Sequence, residues 1–220
     1  MIIDSSLRGV LGLGNASTEY YLKRIHEKYR KNKKEFSTCP LLLYQSDFQE
    51  INPYLPDQFS VLIPKLENYF SKILDFGISK LLVPNITLHE TLDQMKLPFE
   101  IFHPIDLTLK YLKENSISEV TLFGTFYTMN SEYLDARFQK EGISLLKPIE
   151  SDQKWIDDFR KKIYNKEESP SEINIFQNLI KKYSSGNPVI IGCTELSLFA
   201  FKENSSCIDM AELQIEEFLK

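Results

Sequence analysis

The sequence predicts an α/β fold of two pseudo-symmetric lobes, each a short parallel sheet flanked by helices. Two observations carry this expectation. Short apolar, often β-branched runs alternate with longer amphipathic ones along the chain, and regular βα alternation builds a parallel sheet covered on both faces. The alternation also repeats. "LLVPNITLHE" (81–90) and "VIIGCTELSLF" (189–199) both run from strand through a small turn into a Thr-containing helix start. "GLGNASTEYYL" (12–22) and "FGTFYTMNSEYL" (123–134) both run from strand through Gly to hydroxyl-rich residues and then Glu-Tyr. With 220 residues, 42% of them hydrophobic, the chain can fill one large domain or two small ones around a substantial core.

The elements follow from hydrophobic period and punctuation. "RGVLGL" (8–13) reads as a strand and "ASTEYYLKRIHEKYRKNKK" (16–34) as a helix. "CPLLLYQS" (39–46) is the second strand; the next helix covers 61–76, with Pro64 near its start, where proline is tolerated. "SKLLVP" (79–84), a helix over 87–95, "LPFEIF" (97–102) and a helix over 105–115 come next. "EVTLFG" (119–124), a helix over 129–141 and "ISLLKP" (143–148) precede two helices in 152–184, broken near Ser169 and Pro170. "PVIIGC" (188–193), a helix from Thr194, a short strand at 206–208 and a helix over 209–220 close the chain. The first lobe is expected over 1–97 plus 207–220 and the second over 98–206. Open parallel sheets bind ligands beyond the carboxyl ends of their strands, so the four echoing stretches are expected to face one cleft.

Composition narrows the partners. The formal net charge is −5, from 26 Lys and Arg against 31 Asp and Glu, which argues against nucleic acid or an anionic membrane surface. The basic cluster "KYRKNKK" at 28–34 ends a helical pattern, where cations favour the helix dipole. Three sparse cysteines without metal-type spacing point to a reducing compartment, no disulfide framework and no metal. No apolar run is long enough to span a bilayer, and the N-terminal stretch lacks the layout of a signal peptide. A cytoplasmic location is expected.

The stretch "NPVIIGCTEL" (187–196) holds the main chemical candidate. Cys193 falls between a β-branched strand and a helix start. A helix N-terminus lowers a thiol's pKa, so a thiolate that can act as nucleophile or base is expected there. Taken alone, such a cysteine is more often a packed structural thiol, because free cysteine is among the most buried residues. Thr194 and Glu195 in the first turn supply donors and orientation, although an acid in a first turn also suits the helix itself. Asn15, Ser17 and Thr18 enter a helix where N–H groups and hydroxyls could hold a carboxylate, or where Ser17 or Asn15 simply caps. Thr125 and Thr128 make the same offer in the second half.

Read together, these segments resemble the aspartate/glutamate racemase superfamily of cofactor-independent racemases. "GLGNASTEYY" (12–21) resembles the family's Gly-x-Gly-x-x-Ala-Thr element, and "LLYQSDFQEI" (42–51) its second-strand segment. "PNITLH" (84–89) sits where the family has Cys-Asn-Thr-x-His, and "FGTFYTMNSEYL" resembles its Ala-Thr-x-x-Thr-x-x-Ser element. "IIGCTEL" (190–196) is similar to the second motif, Gly-Cys-Thr-Glu; the Glu in place of His points to the aspartate or broad-specificity branch. The resemblance covers nearly the whole chain. It implies two lobes with the active site between them, no cofactor, a homodimer, and two cysteines working on either face of a bound amino acid. It also places Asn85 where the first cysteine belongs and Ile86 where the asparagine belongs, with Thr87 and His89 kept. Asn85 cannot ionise, so a symmetric two-thiol mechanism is excluded on that alignment. Gln58 stands where many members carry an Arg for a substrate carboxylate, and a carboxamide binds carboxylates only weakly. Glu168, with Lys166 close by, stands near a position that tends to be Lys.

The resemblance thus implies a pyridoxal-phosphate-independent isomerase of aspartate, glutamate or a similar acidic amino acid. Cys193 is its thiolate base or acid, supported by Asn85, His89 and Glu195, with activity slow or biased toward one enantiomer. Substrate contacts are expected from Asn15, Ser17, Thr18, Gln58, Ile86, Thr87, Thr125, Thr128 and Thr194. Two alternatives stay open: a single-thiol decarboxylase or lyase, and a catalytically degenerate binder of an acidic metabolite. Cys39 and Cys207 read as core. Tyr127 and Trp155 read as core or cleft-lining, and His26 and His103 receive no role.

Overall fold

The computed structural model describes residues 7–201 and 206–220. Residues 1–6, part of the stretch read for a leader, and 202–205, assigned above to the second lobe, lie outside the described residues. In chain order the first half holds β1 (Arg8–Gly12), α1 (Asn15–Lys31), β2 (Leu42–Gln45), α2 (Phe59–Leu74), β3 (Lys80–Leu82), α3 (His89–Leu92) and β4 (Glu100–Ile101). There follow α4 (Pro104–Glu114), β5 (Glu119–Phe123), α5 (Phe126–Met129), α6 (Glu132–Lys140), β6 (Ser144–Leu146), α7 (Glu150–Asn165) and α8 (Pro170–Ser184). The chain ends with β7 (Val189–Ile191), α9 (Thr194–Ser197), β8 (Cys207–Asp209) and α10 (Met210–Phe218).

The strands form two four-stranded parallel sheets, β2-β1-β3-β4 and β6-β5-β7-β8. Both use the same order: the first strand of each half is internal, the second takes one edge, and the third and fourth follow on the other side. The α/β class expected from sequence is therefore present, and the echo between segments reappears as topology. β1 is equivalent to β5, and β3 to β7.

Each half has its own apolar core. On α2, Leu62, Leu66, Tyr69, Phe70 and Ile73 are buried at helical spacing and pack with Leu11, Leu81 and Leu88. In the second half Phe123, Phe159, Phe176 and Ile191 pack together, with the Phe159 and Phe176 rings 5.2 Å apart. The chain divides into two compact units: the described part of Met1–His103 with Gln214–Lys220, and Pro104–Leu213. That differs from the division expected at 97/98 and 206/207. Cys207–Asp209 pairs in parallel with Val189–Ile191, so β8 and the start of α10 belong to the second unit.

Two helices are shorter than their sequence patterns suggest, and a third, for which the pattern marks only a start, is brief. The helix expected over 87–95 is regular only over His89–Leu92, because Asn85 Oδ1 accepts the Leu88 N–H at 3.0 Å and holds a turn ahead of it. The pattern at 129–141 breaks before Glu132, where the Ser131 hydroxyl accepts from Leu134 N and starts α6 afresh. The helix from Thr194 is one turn long. Two 3-10 turns, Phe48–Glu50 and Asn52–Tyr54, fill a stretch the hydrophobic period left unassigned.

Candidate functional site

The candidate centre of the second unit forms where β5 and β7 end side by side (Phe123↔Ile191). The Gly192 N–H donates to the Phe123 carbonyl at 2.7 Å, which joins the two following turns. A side chain on either turn glycine would crowd its neighbours: a Cβ on Gly124 would lie 3.0 Å from Thr128 Cβ, and one on Gly192 3.0 Å from Leu122 and 3.4 Å from the Phe123 oxygen. Small residues here let Thr128 sit between the turns. Thr125 Oγ1 accepts the Thr128 N–H at 2.9 Å and shares a hydrogen bond with Thr128 Oγ1 at 2.8 Å.

Cys193 precedes α9 in extended conformation (φ −151°, ψ 126°) and makes no side-chain cap. Its Sγ–H donates to Glu195 Oε2 at 2.9 Å. The thiol is buried, and its pKa is pushed well above the ordinary value, first by burial and next by the Glu195 charge, with Arg160 opposing. The thiolate expected at this helix start is therefore not the resting form. A single helical turn offers little dipole, and the carboxylate two residues on stabilises the protonated thiol. Thr194 is buried beside it.

Three residues of α7 not singled out from sequence, Asp157, Arg160 and Lys161, complete this region. Asp157 of α7 accepts Phe126 N–H at 3.1 Å and Arg160 Nε–H at 3.0 Å on one oxygen, and Lys161 Nζ on the other at 2.8 Å. Burial would raise the Asp157 pKa, but the bonds from Lys161, Phe126 and Arg160 outweigh it and hold the carboxyl below its usual range. The available signal was an acid on the buried stripe of α7, among Gln153, Ile156, Phe159 and Ile163.

In the first unit the same junction recurs with other chemistry. Asn85 and Cys193 hold equivalent places, each ahead of the short helix that follows the third strand of its sheet. The Asn85 carbonyl meets His89 Nδ1 at 2.8 Å; the Cys193 carbonyl accepts the Ser197 N–H at 3.2 Å. A carbonyl only accepts, so His89 carries its proton on Nδ1. Its Nε2 is buried without a hydrogen-bond partner among the described residues. The ring stands edge-on to His103 at 4.7 Å, and His103 Nε2 lies 3.4 Å from Asp93. Burial, and then His103, lower the His89 pKa to about 3. His89 is neutral at physiological pH. It braces the Asn85 turn.

Ile86 is buried and Thr87 half-buried in that turn. After the neighbouring strand β1, Gly14 precedes α1 with no side-chain cap, so neither Ser17 nor Asn15 caps this helix. Ser17 Oγ instead donates back to the Gly14 carbonyl at 3.0 Å. Thr18 Oγ1 is buried without a partner among the described residues, and Asn15 is exposed. Gln58 is exposed just before α2. Lys166 is an exposed left-handed residue ending α7. Glu168 is half-buried, with Oε2 buried and unpartnered among the described residues. The structure thus gathers Cys193, Thr194, Glu195, Thr125 and Thr128 at the carboxyl edge of the second sheet. Asn85, Ile86, Thr87 and His89 follow β3, and Asn15, Ser17 and Thr18 follow β1, at the same edge of the first. Among the described residues no cluster of potential metal ligands forms, and no helix is long and apolar enough to cross a membrane.

No protein-family model matches the sequence, and no curated protein sequence does. Solved structures do match in fold. An aspartate racemase homologue from Pyrococcus horikoshii superposes with a TM-score of 0.83 at 21% identity, covering 97% of each chain. Aspartate racemase from Picrophilus torridus gives 0.75 at 17% identity, over 96% of this chain and 92% of that one. The maleate isomerase of Pseudomonas putida gives 0.58 at 8% identity, over 97% and 90%. The chain shares the fold of these proteins over 96% or more of its length.

Proposed function

We propose that this chain is a cofactor-independent isomerase of the amino-acid racemase type, moving the Cα proton of aspartate, glutamate or a similar acidic amino acid through Cys193. The observation that carries the reading is the Cys193 Sγ–H bond to Glu195 Oε2, 2.9 Å long, at the mouth of β7, in a fold shared along its length with an aspartate racemase homologue. A buried thiol is a poor base until its proton is taken. Glu195 supplies the acceptor: the thiol proton passes to the carboxylate, and the thiolate removes the hydrogen from Cα, leaving the electron pair on carbon. Return of a proton to carbon completes exchange, and return to the other face completes inversion. Asn85 has no ionisable group and His89 is neutral, so on this reading the second proton comes from Thr87 or water, and inversion is slow or favours one enantiomer. Asn15, Ser17, Thr18, Gln58, Ile86, Thr125, Thr128 and Thr194 serve as ligand contacts. A homodimer in the cytoplasm, needing no pyridoxal phosphate, belongs to the same proposal.

One observation favours a second reading. A thiol held protonated at rest suits a single proton donor that quenches a carbanion after loss of carbon dioxide, so a single-thiol decarboxylase is the alternative. Incubation in deuterium oxide with each enantiomer of aspartate and glutamate separates the two. Deuterium at Cα, abolished by Cys193→Ala, is the expected result. No exchange with any of the four, together with carbon dioxide release from a substituted malonate, would replace the isomerase by the decarboxylase.

A further inference from the structure

The carboxyl edge of the second sheet also holds a cation to which the proton steps above assign no part. Arg160 lies on α7, which packs against both α5 and α9, the helices that follow β5 and β7. Its Nε donates to Asp157 Oδ1, and the same oxygen receives the Phe126 N–H. The guanidinium is thereby tethered to the turn that carries Thr125. Its side chain is 26% exposed. Among the described residues neither Nη nitrogen has a hydrogen-bond or ion-pair partner, since the contact to Asp157 runs through Nε. An arginine fixed at Nε presents its two Nη groups as a planar fork, the geometry that matches a carboxylate with two parallel bonds. The charged groups bearing on the Cys193 thiol are Glu195 on its own turn and Arg160 on α7; Arg160 is itself paired with Asp157, which also takes Lys161, and Asp209 of β8 is linked by Ser197 to the Cys193 carbonyl. Arg160 is the one whose charge favours ionised sulfur.

We propose that Arg160 is the carboxylate-binding residue of the second unit, its free Nη edge gripping one carboxylate of a small acid beside Cys193. The choice of an acid as ligand rests on the isomerase reading; the free fork and its tether do not. A bound acid offsets the Arg160 charge and stands between the sulfur and an outside reagent, so Cys193 reacts more slowly with an external electrophile while Glu195 remains in place to take its proton.

Alkylation of Cys193 by iodoacetamide, read by peptide mass spectrometry across pH, tests this without requiring turnover. Malonate and both enantiomers of aspartate should slow alkylation of the wild-type protein, and the uncharged malonamide should not. In Arg160→Met the protecting concentration should rise about tenfold or more, as for loss of a charge-assisted pair, and the alkylation midpoint should move to higher pH. Arg160→Lys keeps the charge without the fork: its alkylation profile should stay near wild type while protection weakens. Circular dichroism and the unfolding midpoint confirm that each variant folds; if Arg160→Met does not, the lysine variant decides alone. No protection of wild type by any of these acids, or equal protection in the variants, overturns the proposal. Loss of protection in the variants without Cα exchange in the wild type would leave Arg160 standing and sink the isomerase; exchange with protection indifferent to Arg160 would do the reverse.

Discussion

The Cys193 thiol donates a hydrogen bond to Glu195, and substitutions at the two residues should part company in a diagnostic way. Glu195→Gln removes the charge that helps hold the thiol protonated and the base that could take its proton, while a carboxamide oxygen remains to accept the hydrogen bond, so alkylation at neutral pH should speed up severalfold while Cα exchange falls. A merely structural glutamate would not link the two changes in opposite directions. Two other buried groups set the pH response. His89 titrates near 3 in the folded protein. As pH falls through about 6.5 the unfolded chain takes a proton that the folded one refuses, so stability is lost on acidification. Asp209 is the opposite case: burial, and then Glu212, raise its pKa to about 7. Below that value the folded state holds a proton the unfolded state has released, and stability is gained on acidification down to about 4. Urea unfolding at pH 7.5 and 5 should show wild type gaining about 2–3 kcal/mol relative to Asp209→Asn, and losing about 2 kcal/mol relative to His89→Gln. Cys193 was legible because a cysteine between a β-branched strand and a helix start is conspicuous in a linear pattern. The protonation states of Cys193 and His89 were not, since both depend on burial and on neighbours the pattern does not place.

Among the elements, strands and long helices were the legible part, because their buried positions follow period and length. The short helices after β3 and β5 were overextended, since side-chain oxygens of Asn85 and Ser131 stop or restart them with local bonds that compete with helix. The break at Ser169 and Pro170 was read correctly, and its mechanism is visible: Ser169 and Glu172 form a reciprocal capping box with Pro170 in the first turn. Ser169→Ala should lower stability by about 1 kcal/mol in denaturant unfolding and leave Cys193 alkylation unchanged. Gly192→Ala should do the reverse of that control. The added methyl presses on Leu122 and on the Phe123 carbonyl, so it should shift the alkylation rate of Cys193 as well as the unfolding midpoint.

At the scale of the whole molecule, the repeat in the sequence corresponds to two sheets with one strand order. The division between units was less legible, because β8 is too short for periodicity to say which sheet it joins; the ladder to β7 decides it. His89 and Asp209 lie in different units, so the opposite acid responses predicted for them belong to different parts of the chain. Hydrogen exchange at pH 5 against 7.5 should find amides of β3 and β4 less protected at the lower pH relative to His89→Gln. Those of β7 and β8 should be better protected relative to Asp209→Asn.

The bond from Gly192 to the Phe123 carbonyl makes the two turns of the second sheet one mechanical part. A tug on either is felt by the other. Tyr127, facing outward from the neighbouring turn, is therefore a natural place for a spectroscopic reporter, one that senses events at the sulfur from a distance and leaves the chemistry undisturbed.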